Sequence, residues 1–105
     1  MPINSVLGPI DSADLGTTLI HEHLGIGWMG WEIDHKDFDR KKGGQQVERR
    51  LKEIKGLGIR SIVDPCPMDL GRDVEFVAEV EQKSGTKIIV TTGVYTESEC
   101  GPFTL

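Results

Sequence analysis

The sequence predicts an α/β domain built on a parallel sheet, and two observations support this fold class. Residues 59–64 and 87–92 are short runs rich in β-branched side chains, which is typical of strands that are covered on both faces. Each run follows a segment in which apolar residues repeat with the period of a helix. Strands that alternate with helices at this spacing form parallel sheets with right-handed crossovers. The predicted order is therefore a β-hairpin followed by β, α, β, α and β.

A short β-hairpin is expected where the chain begins. Residues 5–10 resemble a strand, and the cluster at residues 11–14 contains two aspartates and a serine, which favour a turn. The apolar run at residues 16–24 follows and is also predicted to be a strand. The hairpin would lead the chain into the main sheet.

The run at residues 16–24 ends in His21 and His23, which are the candidate metal ligands of this sequence. In a regular strand both imidazoles project from one face, while Glu22 points to the other. Two imidazoles on one face can converge on a single ion and so make half of a metal site. A chance pairing of two of the three histidines in the chain is the alternative.

The histidines are followed by a glycine-rich loop that contains both tryptophans of the chain, Trp28 and Trp31. Large aromatic side chains beside a metal can form the wall of a substrate pocket, and Trp28 is the candidate substrate-binding residue. Ordinary packing beneath a long loop is the alternative. The charged segment at residues 32–42 is expected to be solvated surface, and no role is assigned to His35.

The first helix is predicted over residues 45–57, because Val47, Leu51 and Ile54 fall on one helical face. The second helix is expected to have Asp73 as its N-cap and a C-terminal glycine at Gly85. The inner face of this second helix is predicted to consist of Val74, Val77, Ala78 and Val80.

Composition and charge exclude several classes of function. The chain has 105 residues, of which 37% are hydrophobic and 28% charged, and its net charge is -5. No long block of one sign favours a nucleic-acid or anionic-membrane surface. The first residues lack the basic region and apolar core of a signal peptide, so a cytoplasmic location is expected. Cys66 and Cys100 are expected to be buried free thiols, with a disulfide as the alternative.

Four motifs occur in order along the whole chain. They are Leu15-Gly16 with His21-Glu22-His23-Leu24, Ile62-Val63-Asp64-Pro65, Leu70-Gly71-Arg72-Asp73, and Thr92-Gly93-Val94-Tyr95. Together they resemble the phosphotriesterase-like family of the amidohydrolase superfamily, and the Pro102-Phe103 segment is most similar to the lactonase branch of that family.

That resemblance implies a TIM (β/α)8 barrel, of which this chain carries the first three βα units after the hairpin. It implies that His21 and His23 bind the more buried ion of a centre with two divalent metals, which could be Zn, Fe, Co or Mn. A hydroxide that bridges the metals would attack a lactone carbonyl or a phosphoryl centre. Tyr95 matches a residue at the edge of the centre and is expected to bind substrate, with a packed tyrosine as the alternative. Asp64 would either accept a hydrogen bond from a ligating imidazole, or cap a helix or tether a loop.

The resemblance also implies ligands that this chain does not contain. The family completes its centre with a carboxylated lysine on the fourth barrel strand, histidines on the fifth and sixth, and an aspartate on the eighth. Residues 1–105 are therefore expected to be the N-terminal portion of a single metal-dependent hydrolase barrel, inactive alone, whose substrate is a small ester or lactone. The alternative is a non-catalytic fragment or degenerate paralogue that acts only by assembling with a partner, and homo-oligomerisation is left open.

Overall fold

The computed structural model describes residues 1–26, 31–67 and 70–93, with the backbone alone at residues 31 and 32. The predictions on Trp28, Tyr95 and Cys100 lie outside the described residues. None of the helices in these ranges combines the length and the apolar character needed to cross a membrane. In chain order, the elements are β1 (Pro2–Ser5), β2 (Gly8–Asp11), a 3-10 turn (Ser12–Asp14), β3 (Thr17–Leu19), α1 (Trp31–Asp34), α2 (Arg40–Gly56), β4 (Ile59–Asp64), α3 (Val74–Ser84) and β5 (Lys87–Val90).

β3, β4 and β5 form a parallel sheet in the order of the sequence. Helix α2 lies between the first two strands along the chain, and α3 lies between the second and the third. The two helices pack against each other and against β4 and β5. The core between the helices and the sheet consists of Leu51, Ile62, Val77, Val80 and Ile88. This is the alternation of strands and helices that the apolar periodicity predicts.

β1 and β2 pair as an antiparallel hairpin, but the turn is formed by Val6 and Leu7 rather than by residues 11–14. Neither turn residue has a positive φ, so this is not one of the glycine- or asparagine-rich turns that two-residue hairpin loops favour. Contacts from distant elements hold it instead. The N–H of Val6 donates to the carbonyl oxygen of Ile88 at 2.8 Å, and the N–H of Leu7 donates to the carboxylate of Glu81 at 3.0 Å.

Helix α2 begins at Arg40, ahead of the predicted start at residue 45. Its N-cap is Asp39, whose carboxylate accepts a backbone N–H of the first turn at 3.0 Å. Two glycines near the start disfavour a helix in isolation. A Cβ atom on Gly43 would lie 3.0 Å from the ring of Phe38, a close contact that glycine avoids. The helix therefore begins at the Asp39 cap in spite of a stretch of low helix propensity.

Helix α3 has both predicted ends. Asp73 is its N-cap and accepts the N–H of Phe76 at 3.0 Å, and Gly85 ends the helix in the left-handed conformation with φ 74°. The prediction for its inner face is wrong at Val74, which is 44% exposed. The buried face of the helix instead begins at Val77. Its buried residues lie one, three or four positions apart, and they are Val77, Val80, Glu81 and Ser84.

Candidate metal centre

The histidine segment lies just beyond β3 and beside the carboxyl end of β4. The strand ends at Leu19, earlier than predicted, but the following chain still runs along its neighbour: the N–H of Glu22 donates to the carbonyl oxygen of Val63 at 3.1 Å. His21 and His23 lie on either side of this hydrogen bond. Their ring centroids are 5.2 Å apart and their planes meet at 84°. The structure therefore brings the two predicted ligands together at the edge of the sheet where its parallel strands end.

His23 is held from one side by residues of the loop that follows β4. Its Nδ1 atom lies 2.7 Å from Sγ of Cys66 and 3.9 Å from the nearer carboxylate oxygen of Asp64. The His23 side chain is 27% exposed, whereas Cys66 and Asp64 are both buried. One edge of the imidazole therefore faces protein, and the opposite edge, which carries Nε2, is not occupied by these contacts.

Asp64 joins the loop after β3 to the loop after β4. One carboxylate oxygen accepts the N–H of Cys66 at 2.9 Å, and the other accepts the N–H of Leu24 at 3.2 Å. Of the roles considered for Asp64, loop tethering is directly visible in these hydrogen bonds. Its carboxylate also places a negative charge near His23, but at 3.9 Å it does not accept a hydrogen bond from that imidazole.

Cys66 is 1% exposed and its thiol remains protonated at neutral pH. Burial raises the pKa of this thiol to about 12, and the neighbouring charge of Asp64 acts in the same direction. The sulfur lies 3.2 Å from the carbonyl oxygen of Gly25, which is an acceptor for the thiol hydrogen. A free, buried thiol at this position agrees with the expectation for Cys66.

His23, Asp64 and Cys66 bring three potential ligand atoms within 4.8 Å of one another. Imidazole, carboxylate and sulfur are suitable donors for Zn²⁺ and similar ions. Both oxygens of Asp64 also accept backbone hydrogen bonds, and the sulfur of Cys66 lies 3.2 Å from the carbonyl oxygen of Gly25. The donors that remain free of these contacts are the outer nitrogen of His23 and the imidazole of His21, and an imidazole pair fits part of a divalent-metal site.

Sequence reasoning missed the contact between Cys66 and His23. The two residues are distant in sequence, but each follows a strand of the parallel sheet, and the carboxyl ends of such strands meet at one edge. That rule places the loops after β3 and β4 together, and it could have indicated that Cys66 lies near His23. It could not have indicated which atoms touch.

Arg72, from the same edge, donates to the carbonyl oxygen of Thr91 at 2.6 Å and so connects the start of α3 to the end of β5.

The protein has an α/β fold with a parallel sheet, and two histidines lie at the carboxyl edge of that sheet. This fold is similar to that of phosphotriesterase TIM barrels. The family model described as the phosphotriesterase family matches residues 1–102. The chain belongs to this family.

Known relatives match the chain over a limited part of their own length. A phosphotriesterase homology protein of Mycobacterium tuberculosis is 39% identical over 103 residues, which cover 92% of this chain and 30% of the relative. An aryldialkylphosphatase of Saccharolobus solfataricus is 33% identical over 93 residues, covering 82% of this chain and 28% of the relative. A solved structure described as molecular engineering of organophosphate hydrolysis activity from a weak promiscuous lactonase template has a TM-score of 0.90 at 30% identity, covering 98% of this chain and 32% of that one.

Proposed function

We propose that residues 1–105 are the N-terminal portion of a single barrel domain of a metal-dependent hydrolase that acts on lactones or phosphoesters. The observation that carries this proposal is the pair of imidazoles, 5.2 Å apart, at the carboxyl edge of a parallel sheet. In barrels built from βα units, active sites lie at the carboxyl ends of the strands. The family match supports the same class of enzyme.

A larger barrel is supported by coverage and by exposed apolar surface. The chain spans about 30% of the matched relatives, although it is matched over nearly its whole length. Ile20 lies between β3 and the histidines and is 76% exposed. Branched apolar side chains on barrel strands fill the interior of a complete barrel. Further strands would cover such a side chain, as they would pair with the outer edges of β3 and β5.

In this proposal His21 and His23 hold a divalent ion, and the tether formed by Asp64 fixes the loop that carries them. A pair of divalent ions, chosen from Zn, Fe, Co and Mn, would polarise the carbonyl or phosphoryl oxygen of the substrate and supply an activated water. This chain would contribute ligands for one of the two. Trp28 and Tyr95 are proposed to contact the substrate, and the substrate is a small ester or lactone.

The two substrate classes are proposed together because the relatives differ. One matched relative is described as an aryldialkylphosphatase, and the engineered structure began from a lactonase template. Both hydrolyses require polarisation of an oxygen on the centre under attack, a task that the same metal site can perform. The lactone is proposed as the preferred substrate, on the likeness of the Pro102-Phe103 segment to the lactonase branch.

The proposal is tested with the variants His21→Ala and His23→Ala in the complete protein. Each removes one ligand, so we expect loss of stoichiometric zinc by elemental analysis and loss of hydrolysis of both a lactone and an aryl phosphotriester. His35→Ala removes the third histidine of the chain and serves as the control, with unchanged zinc content and activity. Full zinc content and full activity in both test variants would contradict the proposal.

The alternative of a non-catalytic chain that assembles with a partner gives a different result. It is favoured by the exposed Ile20, which a partner could cover as well as further strands could. Under this alternative the wild-type protein hydrolyses neither substrate and binds no stoichiometric zinc. Size-exclusion chromatography with light scattering would then show the chain in a complex rather than alone.

A further inference from the structure

We propose that Cys66 is a positioning residue for His23: its sulfur accepts the hydrogen of Nδ1 and so leaves the lone pair of the imidazole on Nε2, facing the candidate metal centre. The role of Cys66 in metal binding rests on the proposed function. The hydrogen bonds between Cys66 and its neighbours do not, and they can be measured in the metal-free protein. No role in the site follows for Cys66 from the sequence motif alone.

The direction of each hydrogen bond follows from the groups that surround the sulfur. A thiol has one hydrogen to donate, and the carbonyl oxygen of Gly25, 3.2 Å away, can only accept. The thiol hydrogen can therefore be donated to Gly25. The carboxylate of Asp64 is a second possible acceptor for that one hydrogen, and it too can only accept. In either case the hydrogen of the thiol is used, so at the 2.7 Å contact the imidazole donates from Nδ1 and the sulfur accepts. A neutral imidazole with its hydrogen on Nδ1 has its lone pair on Nε2.

Asp64 favours the same tautomer but cannot make the contact itself. Its nearer oxygen lies 3.9 Å from Nδ1 of His23, beyond hydrogen-bond distance, and both oxygens accept backbone N–H groups, those of Leu24 and Cys66. These two bonds fix the orientation of the carboxylate. Its charge attracts the hydrogen toward Nδ1, while the direct acceptor is the sulfur. Metal-binding histidines commonly have such an acceptor behind them, most often a carboxylate or a carbonyl oxygen.

The same three residues could instead form a separate metal site through Nδ1, Sγ and a carboxylate oxygen, because these atoms lie within 4.8 Å of one another. That arrangement would require the sulfur to bind the ion as a thiolate and so to lose the hydrogen that it donates to Gly25. It would also place the lone pair of His23 on Nδ1 and its hydrogen on Nε2. The geometry favours the positioning role, and the two arrangements differ in whether sulfur binds the ion.

The direct test is ¹⁵N NMR of the imidazole nitrogens in the metal-free protein. We expect His23 to carry its hydrogen on Nδ1 in the wild type and in Cys66→Ser, whose hydroxyl can also donate to Gly25 and accept from His23. In Cys66→Ala we expect a population with the hydrogen on Nε2. Cys100→Ala, which removes the other cysteine of the chain, should leave the spectrum of His23 unchanged. A wild-type hydrogen on Nε2, or identical spectra for wild type and Cys66→Ala, would overturn the inference.

Metal binding supplies the second measurement. Loss of a group that orients a ligand typically weakens metal affinity by about 10- to 100-fold, so zinc titration of Cys66→Ala should show a loss in this range. Cys66→Ser should restore most of the affinity. The cobalt-substituted wild type should lack a thiolate-to-cobalt absorption band, and a band that disappears in Cys66→Ser would identify the sulfur as a ligand and overturn the inference.

The two proposals fail in distinguishable ways. If the wild type binds no zinc while NMR finds the hydrogen of His23 on Nδ1, the metal site is wrong and the positioning contact is supported. If His23→Ala abolishes zinc binding while Cys66→Ala changes neither the tautomer nor the affinity, the metal site is supported and the role of Cys66 is overturned. Cys66→Ser keeps both outcomes measurable even where the alanine variant folds poorly.

Discussion

Each end of the parallel sheet contains a buried carboxylate that accepts backbone N–H groups from two segments. At the amino ends of the strands, Glu81 is 2% exposed and binds the hairpin turn through Leu7 and the start of β5 through Ile88, the latter at 2.7 Å. At the carboxyl ends, Asp64 is 4% exposed and binds the two loops that follow β3 and β4. Both therefore join pieces of chain that are far apart in sequence.

What differs is the surroundings of the two carboxylates. Glu81 also receives the hydroxyl of Ser5 at 3.3 Å, and its contacts are with backbone and small polar groups. Asp64 lies beside an imidazole and a thiol that are candidates for metal chemistry. In barrels of βα units the amino face mainly contributes stability and the carboxyl face carries function. A buried carboxylate with backbone donors thus joins segments at both edges, but only the one at the carboxyl edge lies beside the candidate metal centre.

The largest stability effect is expected for Glu81→Ala. The substitution leaves the N–H of Ile88 buried without an acceptor, at a cost of about 1–3 kcal/mol, and removes the hydrogen bond of the partly exposed Leu7 N–H to a charged group, so the free energy of unfolding should fall by about 3 kcal/mol. Urea unfolding measures this. Glu81→Gln retains one acceptor oxygen and should lose less. Zinc affinity of the folded protein should be unchanged, and a loss as large as that of an Asp64 variant would show that the two edges do not differ as argued.

Asp64→Asn should have a smaller effect on stability and a larger one on the site. The amide retains one oxygen for a backbone N–H, while its NH₂ group faces a donor, so we expect a loss of about 1–3 kcal/mol in urea unfolding. The variant also removes the charge near His23 and loosens the loop that carries it. Zinc affinity should fall by about 10- to 100-fold in titration calorimetry. An unchanged affinity would mean that Asp64 acts only as a loop tether.

Local signals in the sequence predict the regular elements well and the junctions between them poorly. Asp73 and Gly85 determine the two ends of α3 through their own backbone preferences, so sequence alone is sufficient there. The turn at Val6 and Leu7 has no such preference, because its conformation depends on hydrogen bonds to Glu81 and β5. The early start of α2 follows the Asp39 cap, a local signal that the low helix propensity of Gly43 and Gly44 obscures in the sequence.

The candidate site shows the same division. The spacing of His21 and His23 predicts that their rings lie together, since alternate residues of an extended segment share a face. The contact between His23 and Cys66 depends on the register of β3 against β4 and on how two loops meet. No local pattern in the sequence encodes that register. The register of β3 against β4 also shifts between Thr17 and Thr18. The proximity of the two candidate ligands could therefore be predicted from the sequence, whereas the group proposed to orient one of them could not.

The smallest effect is expected for Asp73→Ala, which tests whether any loss of stability on the carboxyl side disturbs the site. The substitution removes the N-cap of α3, at a cost of about 1 kcal/mol in urea unfolding. Asp73→Ser retains a capping oxygen but not the exposed ion pair with Arg40, and it should unfold within about 0.5 kcal/mol of the wild type, since exposed pairs contribute little. Zinc affinity should be the same in both variants, because neither the imidazoles nor Asp64 contact this cap. If Asp73→Ala weakens zinc binding as strongly as Asp64→Asn does, the effect at Asp64 reflects general loosening of that edge rather than its contacts beside His23.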